Sequence, residues 1–233
     1  MILEDVVGPC QYSPGRCACF HGSNSVSLEN GKTKLISELR PGDNVLAMKE
    51  DGTLGFSPVI LDYHNAPQDI ALFRVIHTSL GHNLTLTPNH LLYVSEGNDK
   101  IPTSMKLSSF QPVFASRVKN GDFVLVRSEN RMVKDKVIDV TEESMTGYYS
   151  PLTTQGNIVV QNILASCYAS FDNHNLMHFA FAPFRWFHSA RNWFSFMKLE
   201  QSPRVNLEYE WEHWYTDGLR AMAENLVQEK MNW

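Results

Sequence analysis

A pattern of about a dozen residues occurs twice in this chain. L-I-S-E-L-R-P-G-D-N-V-L (35–46) and F-A-S-R-V-K-N-G-D-F-V-L (114–125) both turn at Gly-Asp into an apolar strand. A second pair follows in the same order, T-S-L-G-H-N-L-T-L (78–86) and T-T-Q-G-N-I-V-V (153–160). The spacing within each pair is roughly 75–79 residues, which is typical of an internal repeat. Gly-Asp turns are common, but the matching order favours a fold built from two related halves.

Short apolar segments separated by turn signals fill residues 20–168. The turn signals are E-N-G-K, E-D-G-T, L-G-H-N, E-G-N-D and T-Q-G-N. Because long helical periodicity is absent here, the pattern predicts a mainly β domain. The predicted strands are 26–28, 44–48, 58–63, 71–78, 83–87, 91–94, 122–126, 136–140 and 157–160.

The character of the chain changes after Cys167. Residues 171–197 hold seven Phe and two Trp. Trp186, Ala190, Trp193 and Met197 follow one another at helical spacing, which predicts an aromatic-rich helical extension. We therefore expect an upstream flank (1–18), a β domain (19–170) and a helical region (171–233).

Composition excludes several classes of protein. The formal net charge is −5, which does not favour nucleic acid, and four Cys are too few for a disulfide-built scaffold. No apolar run is long enough to cross a membrane, and residues 1–18 lack the apolar core of a signal peptide. Either the protein is cytosolic or this chain lacks its upstream part. We expect a monomer.

Cys19 lies where the β domain begins. It is a candidate nucleophile, but a disulfide half, a metal ligand or a plain core residue are alternatives. A Cys at this position can attack the carbonyl of Ala18 through a five-membered ring. This N-to-S acyl shift turns the amide into a thioester, and it needs a proton donor for the departing nitrogen.

The stretch T-P-N-H (87–90) contains residues able to assist that reaction. His90 could protonate the leaving nitrogen, and Thr87 could hydrogen-bond near the same atoms. By itself, a T-x-x-H segment is a weak signal and favours an ordinary turn with a surface histidine.

Several of these segments together resemble one known family. C-F (19–20), L-T-L-T-P-N-H-L-L-Y-V (84–94) and I-V-V-Q-N-I-L-A-S-C-Y-A (158–169) resemble the autoprocessing domain of Hedgehog proteins. This Hint or Hog domain shares a pseudo-twofold β-fold with inteins. L-M-H-F-A-F-A-P-F-R-W-F-H-S (176–189) resembles the start of the family's sterol recognition region.

The resemblance implies a two-step reaction in cis, with a single turnover. Cys19 forms a thioester with Ala18, helped by Thr87 and His90. A sterol hydroxyl then attacks the thioester, and the upstream segment leaves as a sterol ester. The sterol is a co-substrate, and the resemblance implies no cofactor and no metal.

Further roles are implied in the same way. Cys167 matches a Cys that can pair with the nucleophile, although a small buried residue is the alternative. The family's general base for the sterol step is an Asp. His64 occupies that position when no gap is allowed, and Asp62 occupies it if there is a local gap. A surface turn is the third reading of His64.

The resemblance also implies passage through the secretory pathway and contact of residues 171–233 with a membrane surface. Ala18 replaces the Gly that usually precedes the family's Cys, which adds crowding at the attacked carbonyl. The predicted lipid-binding residues are Phe179, Phe181, Phe184, Trp186, Phe187 and Trp193.

Two alternatives stay open. One keeps the thioester but ends in hydrolysis or in transfer to a lipid other than cholesterol. The other is a non-catalytic lipid- or protein-binding module, in which Cys10, Cys17, Cys19 and His21 serve as disulfide or metal residues.

Overall fold

Twelve β-strands and two short 3-10 helices form the part of the protein that we describe. The computed structural model describes residues 18–95, 107 and 110–169. The 3-10 helices are Ile36–Glu38 and Ala115–Arg117. The strands are β1 Phe20–His21, β2 Ser25–Ser27, β3 Thr33–Leu35, β4 Asn44–Met48, β5 Leu54–Thr78, β6 Asn83–Leu86, β7 His90–Ser95, β8 Gln111–Phe114, β9 Phe123–Ser128, β10 Arg131–Thr153, β11 Asn157–Val160 and β12 Ile163–Ala169.

The predicted pseudo-twofold β-fold is confirmed. Each half runs from a 3-10 helix through a short strand (β4 or β9) into a long strand (β5 or β10) and ends in two short strands (β6–β7 or β11–β12). The two long strands are antiparallel partners, paired from Val137↔Thr78 to Thr153↔Val59. The two halves are therefore joined through the backbone hydrogen bonds of these long strands.

The repeated Gly-Asp turns have the same geometry in both halves. Gly42 has φ +97° and Gly121 has φ +98°, a backbone region that favours glycine. The Gly42 N–H donates to Val59 O (2.8 Å), and the Gly121 N–H donates to Val137 O (2.9 Å). The repeated G-D pair thus fixes how each half turns into its long strand.

The core is apolar and drawn from both halves. Leu46 and Met48 of β4 pack in one cluster with Leu125 of β9 and Leu164 of β12. Burying one such side chain contributes about 1.5–3 kcal/mol. The remaining buried members of this cluster are Tyr93, Phe110, Met132 and Val159.

One strand prediction was wrong in a way that matters for the site. Residues 58–63 and 71–78 were expected to be two strands, but both belong to the single strand β5. The polar stretch between them reads as a loop in the sequence. Pairing with β10 keeps it extended, with register shifts between Thr146 and Tyr148 and between Tyr149 and Pro151.

The backbone divides into two compact units, Met1–His178 and Phe179–Trp233. The second unit lies wholly outside the described residues, as do the predicted helical extension and the flank 1–17. In the described part of the chain, no helix has the length and apolar character needed to span a membrane. The predicted domain boundaries stay predictions.

Candidate active site

Cys19 is completely buried at the entrance to β1. The exposed fraction is 1% for Ala18 and 0% for Cys19. The next residue, Phe20, pairs with Tyr149 of β10 and with Leu86 of β6. The Ala18–Cys19 bond is therefore held by strands from both halves of the fold.

Thr87 forms two hydrogen bonds with Cys19. The Cys19 N–H donates to Thr87 Oγ1 (2.9 Å), and the Thr87 N–H donates to the Cys19 carbonyl oxygen (2.9 Å). Thr87 follows β6, whose last residue, Leu86, pairs with Phe20, so strand pairing brings the threonine to this bond. These contacts fix the amide nitrogen that must leave during an acyl shift.

His90 is a buried histidine and not a surface one. Its backbone N–H donates to Thr87 O (3.0 Å), so T-P-N-H is a tight turn, but the side chain is only 1% exposed. The ring packs against Phe20, with centroids 4.1 Å apart. Nε2 lies 2.9 Å from the Ser166 carbonyl oxygen, which can only accept, so Nε2 carries the proton.

Burial lowers the pKa of His90 to about 4, and the carbonyls of Ser166 and Ala18 oppose that change. The influence of the Ala18 carbonyl places the ring beside the bond that would be cleaved. Among the described residues, Nδ1 of His90 is buried without a hydrogen-bonding partner of normal geometry. His90 is thus a neutral imidazole at neutral pH with one unoccupied nitrogen.

His64 reaches the sulfur of Cys19. Its Nδ1 lies 3.3 Å from Cys19 Sγ, and its ring stacks edge-on against Tyr148, with centroids 6.3 Å apart. His64 is half-buried within β5, so the reading as a surface turn residue is wrong.

Asp62 lies two residues earlier on the same strand and also acts on Cys19. Burial raises the pKa of Asp62 to about 6, against the Ser150 backbone, Arg40 and Asn65, which lower it. Its Oδ1 is buried and, within the described ranges, has no hydrogen-bonding partner. The pKa of the Cys19 thiol is raised well above its ordinary value, first by burial and then by the charge of Asp62.

A β-bulge brings both side chains to the site. Tyr149 pairs with Asn65 and Pro151 pairs with Asp62, so β5 has one extra residue between these two pairings. Pro151 has no N–H to donate to the ladder, and prolines inside sheets occur at such irregularities. Bulges re-aim side chains next to active sites.

The comparisons with known proteins identify the family of this chain. The family model of the Hint module matches residues 13–228. The chain belongs to the Hint family. The Tiggy-winkle hedgehog protein of Danio rerio is 38% identical over 204 residues, which cover 86% of this chain and 47% of that protein. Warthog protein 6 of Caenorhabditis elegans is 37% identical over 168 residues, which cover 72% of this chain and 27% of that protein.

This Hint domain is an autoprocessing domain of the Hedgehog type, and it spans about half the length, or less, of the curated relatives that it matches. Among solved structures, the DnaB intein from Synechocystis matches with a TM-score of 0.53 and 16% identity, covering 66% of this chain and 100% of that one. The TvoVMA intein matches with a TM-score of 0.52 and 18% identity, covering 63% and 96%. At these identities, the intein likeness shows the fold alone.

Cys167 of the Hint domain contacts Thr153. The Cys167 N–H donates to Gly156 O (3.0 Å), and Sγ lies 3.5 Å from Thr153 Oγ1. Burial raises the pKa of the Cys167 thiol to about 11, and both described cysteines are free thiols. A redox role for Cys167 stays a prediction.

Both ring nitrogens of His21 have protein partners, which argues against the metal-binding alternative. Nδ1 bonds Ser23 Oγ at 2.7 Å, and Nε2 bonds the Thr146 carbonyl at 3.1 Å. Cys10 and Cys17 lie outside the described residues, as do the predicted lipid-binding residues Phe179, Phe181, Phe184, Trp186, Phe187 and Trp193.

Arg40 and Ser166 influence the site and were not singled out from the sequence. Arg40 acts on Asp62 through its charge, and Ser166 acts on His90 through its backbone carbonyl. The repeat offers a signal for Arg40, because Lys119 is its basic counterpart in the second Gly-Asp turn. A backbone carbonyl has no sequence signal.

Proposed function

We propose that this Hint domain cleaves its own chain between Ala18 and Cys19 and transfers the upstream segment to a sterol hydroxyl. One observation carries the proposal. The Cys19 amide nitrogen is held by Thr87 Oγ1 at 2.9 Å while its sulfur lies 3.3 Å from an imidazole nitrogen. The buried Ala18–Cys19 peptide bond therefore has a hydrogen-bonding partner at its nitrogen, and the sulfur that would attack it contacts an imidazole.

In the first step, Cys19 Sγ attacks the Ala18 carbonyl carbon, and the C–N bond then breaks. The departing nitrogen needs one proton, and His90 lies beside this bond. Because burial lowers the pKa of His90 to about 4, its imidazolium is a stronger acid than an ordinary one. Once Nδ1 has taken up a proton, it can give that proton readily to the nitrogen.

In the second step, a hydroxyl attacks the thioester, and a base must take its proton. The sequence pointed to His64 for this role, with Asp62 as the alternative. We assign it to Asp62, whose buried Oδ1 has no hydrogen-bonding partner among the described residues. A carboxylate with a pKa of about 6 is a competent base at neutral pH. The thioester of the upstream segment is thereby exchanged for an ester, and Cys19 regains a thiol.

The acceptor is assigned by family membership together with the aromatic-rich segment 171–233. In this proposal, the segment binds the sterol and contacts a membrane surface, and the reaction needs no cofactor. Hedgehog proteins are among the relatives of this chain, which supports action in the secretory pathway. A sterol other than cholesterol, another lipid alcohol and water are outcomes that the experiment distinguishes.

The test is the intact mass of the purified chain after incubation in mild detergent with cholesterol, without it, or with dithiothreitol. We expect cleavage before Cys19 and an upstream fragment heavier by one cholesterol less one water. The Cys19→Ala variant should stay intact under every condition.

Three results separate the alternatives. Cleavage with dithiothreitol but not with cholesterol would support formation of the thioester and would reject cholesterol as the acceptor. A fragment with a free carboxylate would indicate hydrolysis. A chain that stays intact in all three incubations would overturn the proposal.

A further inference from the structure

We propose that His64 is the base that removes the thiol proton of Cys19, because its Nδ1 lies 3.3 Å from Sγ within the cleavage site. This inference rests on the proposed function and deepens it, since it assigns the group that starts the first step. The sequence had linked His64 to the second step alone.

The Cys19 thiol is a poor nucleophile without help. It is 0% exposed, and burial together with the charge of Asp62 raises its pKa well above the ordinary value. Sulfur therefore keeps its proton at neutral pH, although the thiolate is the reactive form. Because the proton stays on sulfur, the S–H group donates and the His64 Nδ1 lone pair accepts.

The other candidate groups act on other atoms of the site or act on the sulfur through charge alone. Thr87 Oγ1 accepts the Cys19 N–H. His90 directs Nε2 to the Ser166 carbonyl, and the Ala18 carbonyl influences the same ring. Asp62 reaches Cys19 through its charge, which holds the proton on sulfur more firmly.

The surroundings of His64 suit a proton acceptor. Its ring is braced edge-on by Tyr148, whose hydroxyl donates to Asp69 Oδ2 at 3.1 Å. His64 is only half-buried, so a proton taken from sulfur can continue to solvent. A neutral imidazole nitrogen has a lone pair that can accept a proton.

The step balances with these residues alone. The S–H bond breaks, its proton goes to His64 Nδ1, and the sulfur electron pair forms the bond to the Ala18 carbonyl carbon. His90 Nδ1 takes up one proton from water and passes it to the departing nitrogen as the C–N bond breaks, which returns His90 to its neutral form. His64 releases its proton to water, so the net change is one proton moved from sulfur to nitrogen.

The test measures the rate of cleavage by excess dithiothreitol, which traps the thioester and reports the first step without any sterol. We expect His64→Ala and His64→Gln to slow this rate about 100-fold or more, the usual contribution of a positioned base. Added imidazole should restore part of the rate of His64→Ala, since the substitution leaves space beside the sulfur. His77→Ala is the matched control, because His77 lies on the same strand and pairs with Asn83 and Asp139.

Two results would overturn the assignment of His64 as the base. A rate within twofold of the parent in either folded His64 variant, checked by circular dichroism, would overturn the inference. Slow cleavage in both variants without imidazole rescue would assign His64 a structural role and also overturn it. Failure of the proposed function looks different, because the parent chain itself would then resist dithiothreitol.

Discussion

Asp62 and His64 are two residues apart on β5 and reach the same sulfur with different chemistry. His64 contacts Sγ directly, whereas Asp62 acts through its charge and keeps a buried oxygen without a partner among the described residues. The bulge in β5 re-aims side chains between Asp62 and Asn65, so one strand can present a base for each step. The thiol step and the acceptor step can therefore be separated by substitution.

Asp62→Asn should preserve cleavage by dithiothreitol and lose transfer to cholesterol by about 100-fold or more. The amide cannot accept a proton, but removing the charge makes the Cys19 thiol easier to ionise. Rates with each nucleophile, measured by gel densitometry, check this. Asp69→Asn is the control, because its amide oxygen still accepts the Tyr148 hydroxyl. Unchanged sterol transfer in Asp62→Asn would reject Asp62 as the second base.

The two Gly-Asp turns share one hydrogen-bonding pattern. In each turn the aspartate carboxylate accepts a backbone N–H three residues earlier, from Arg40 to Asp43 (2.8 Å) and from Lys119 to Asp122 (2.9 Å). The glycine between them takes a positive φ. Each turn directs its chain into the next short strand, which pairs with the long strand of the same half.

Gly42→Ala and Gly121→Ala should each destabilise the fold by about 1–3 kcal/mol, the usual cost of such a backbone conformation in a non-glycine residue. A Cβ at either position meets no atom within 4 Å, so strain is the whole effect and the two losses should match. Urea unfolding of the Cys19→Ala chain measures this. Gly55→Ala is the control, because its Cβ meets only the flexible Lys49 side chain. Losses that differ by more than about 1 kcal/mol would contradict equivalent turns.

Folding of the whole molecule changes the pKa values of two buried groups, His90 and Asp62, in opposite directions. Folding lowers the pKa of His90 from 6.5 to about 4, so the unfolded chain binds more protons and stability falls as pH drops from 6.5 to 4. Folding raises the pKa of Asp62 from 3.8 to about 6, so stability falls as pH rises from 3.8 to 6. The two contributions largely cancel between pH 4 and 6.

Substituting either His90 or Asp62 should expose the contribution of the other residue to the pH dependence of stability. Relative to the Cys19→Ala parent, His90→Gln should lose free energy of unfolding as pH rises from about 4 to 6. Asp62→Asn should lose free energy of unfolding as pH falls from 6.5 to about 4. Urea unfolding at several pH values checks both. If the two variants changed in the same direction with pH, one of the two pKa shifts would have the wrong sign.

The sequence by itself determined the repeat and the strand-rich class, and it offered Cys19 as a candidate nucleophile. Periodicity and turn residues are local properties, so they predicted β4 and β11 at their observed bounds. They also predicted turns at four glycines that take a positive φ in the structure, Gly31, Gly52, Gly81 and Gly156. The Cys19, Thr87 and His90 set could be proposed because the resemblance fixed their roles. Their proximity was an expectation until strand pairing placed Thr87 against Cys19.

Only the tertiary structure decided that β5 is one continuous strand and which of its side chains lie near Cys19 Sγ. The segment around Asp62 and His64 is too polar to read as a strand, and only pairing with β10 keeps it extended. A bulge cannot be predicted by counting residues, so the sequence left two candidates for one role. Burial likewise depends on the packed fold, and burial is what keeps His90 neutral, raises the pKa of Asp62 and holds the proton on Cys19.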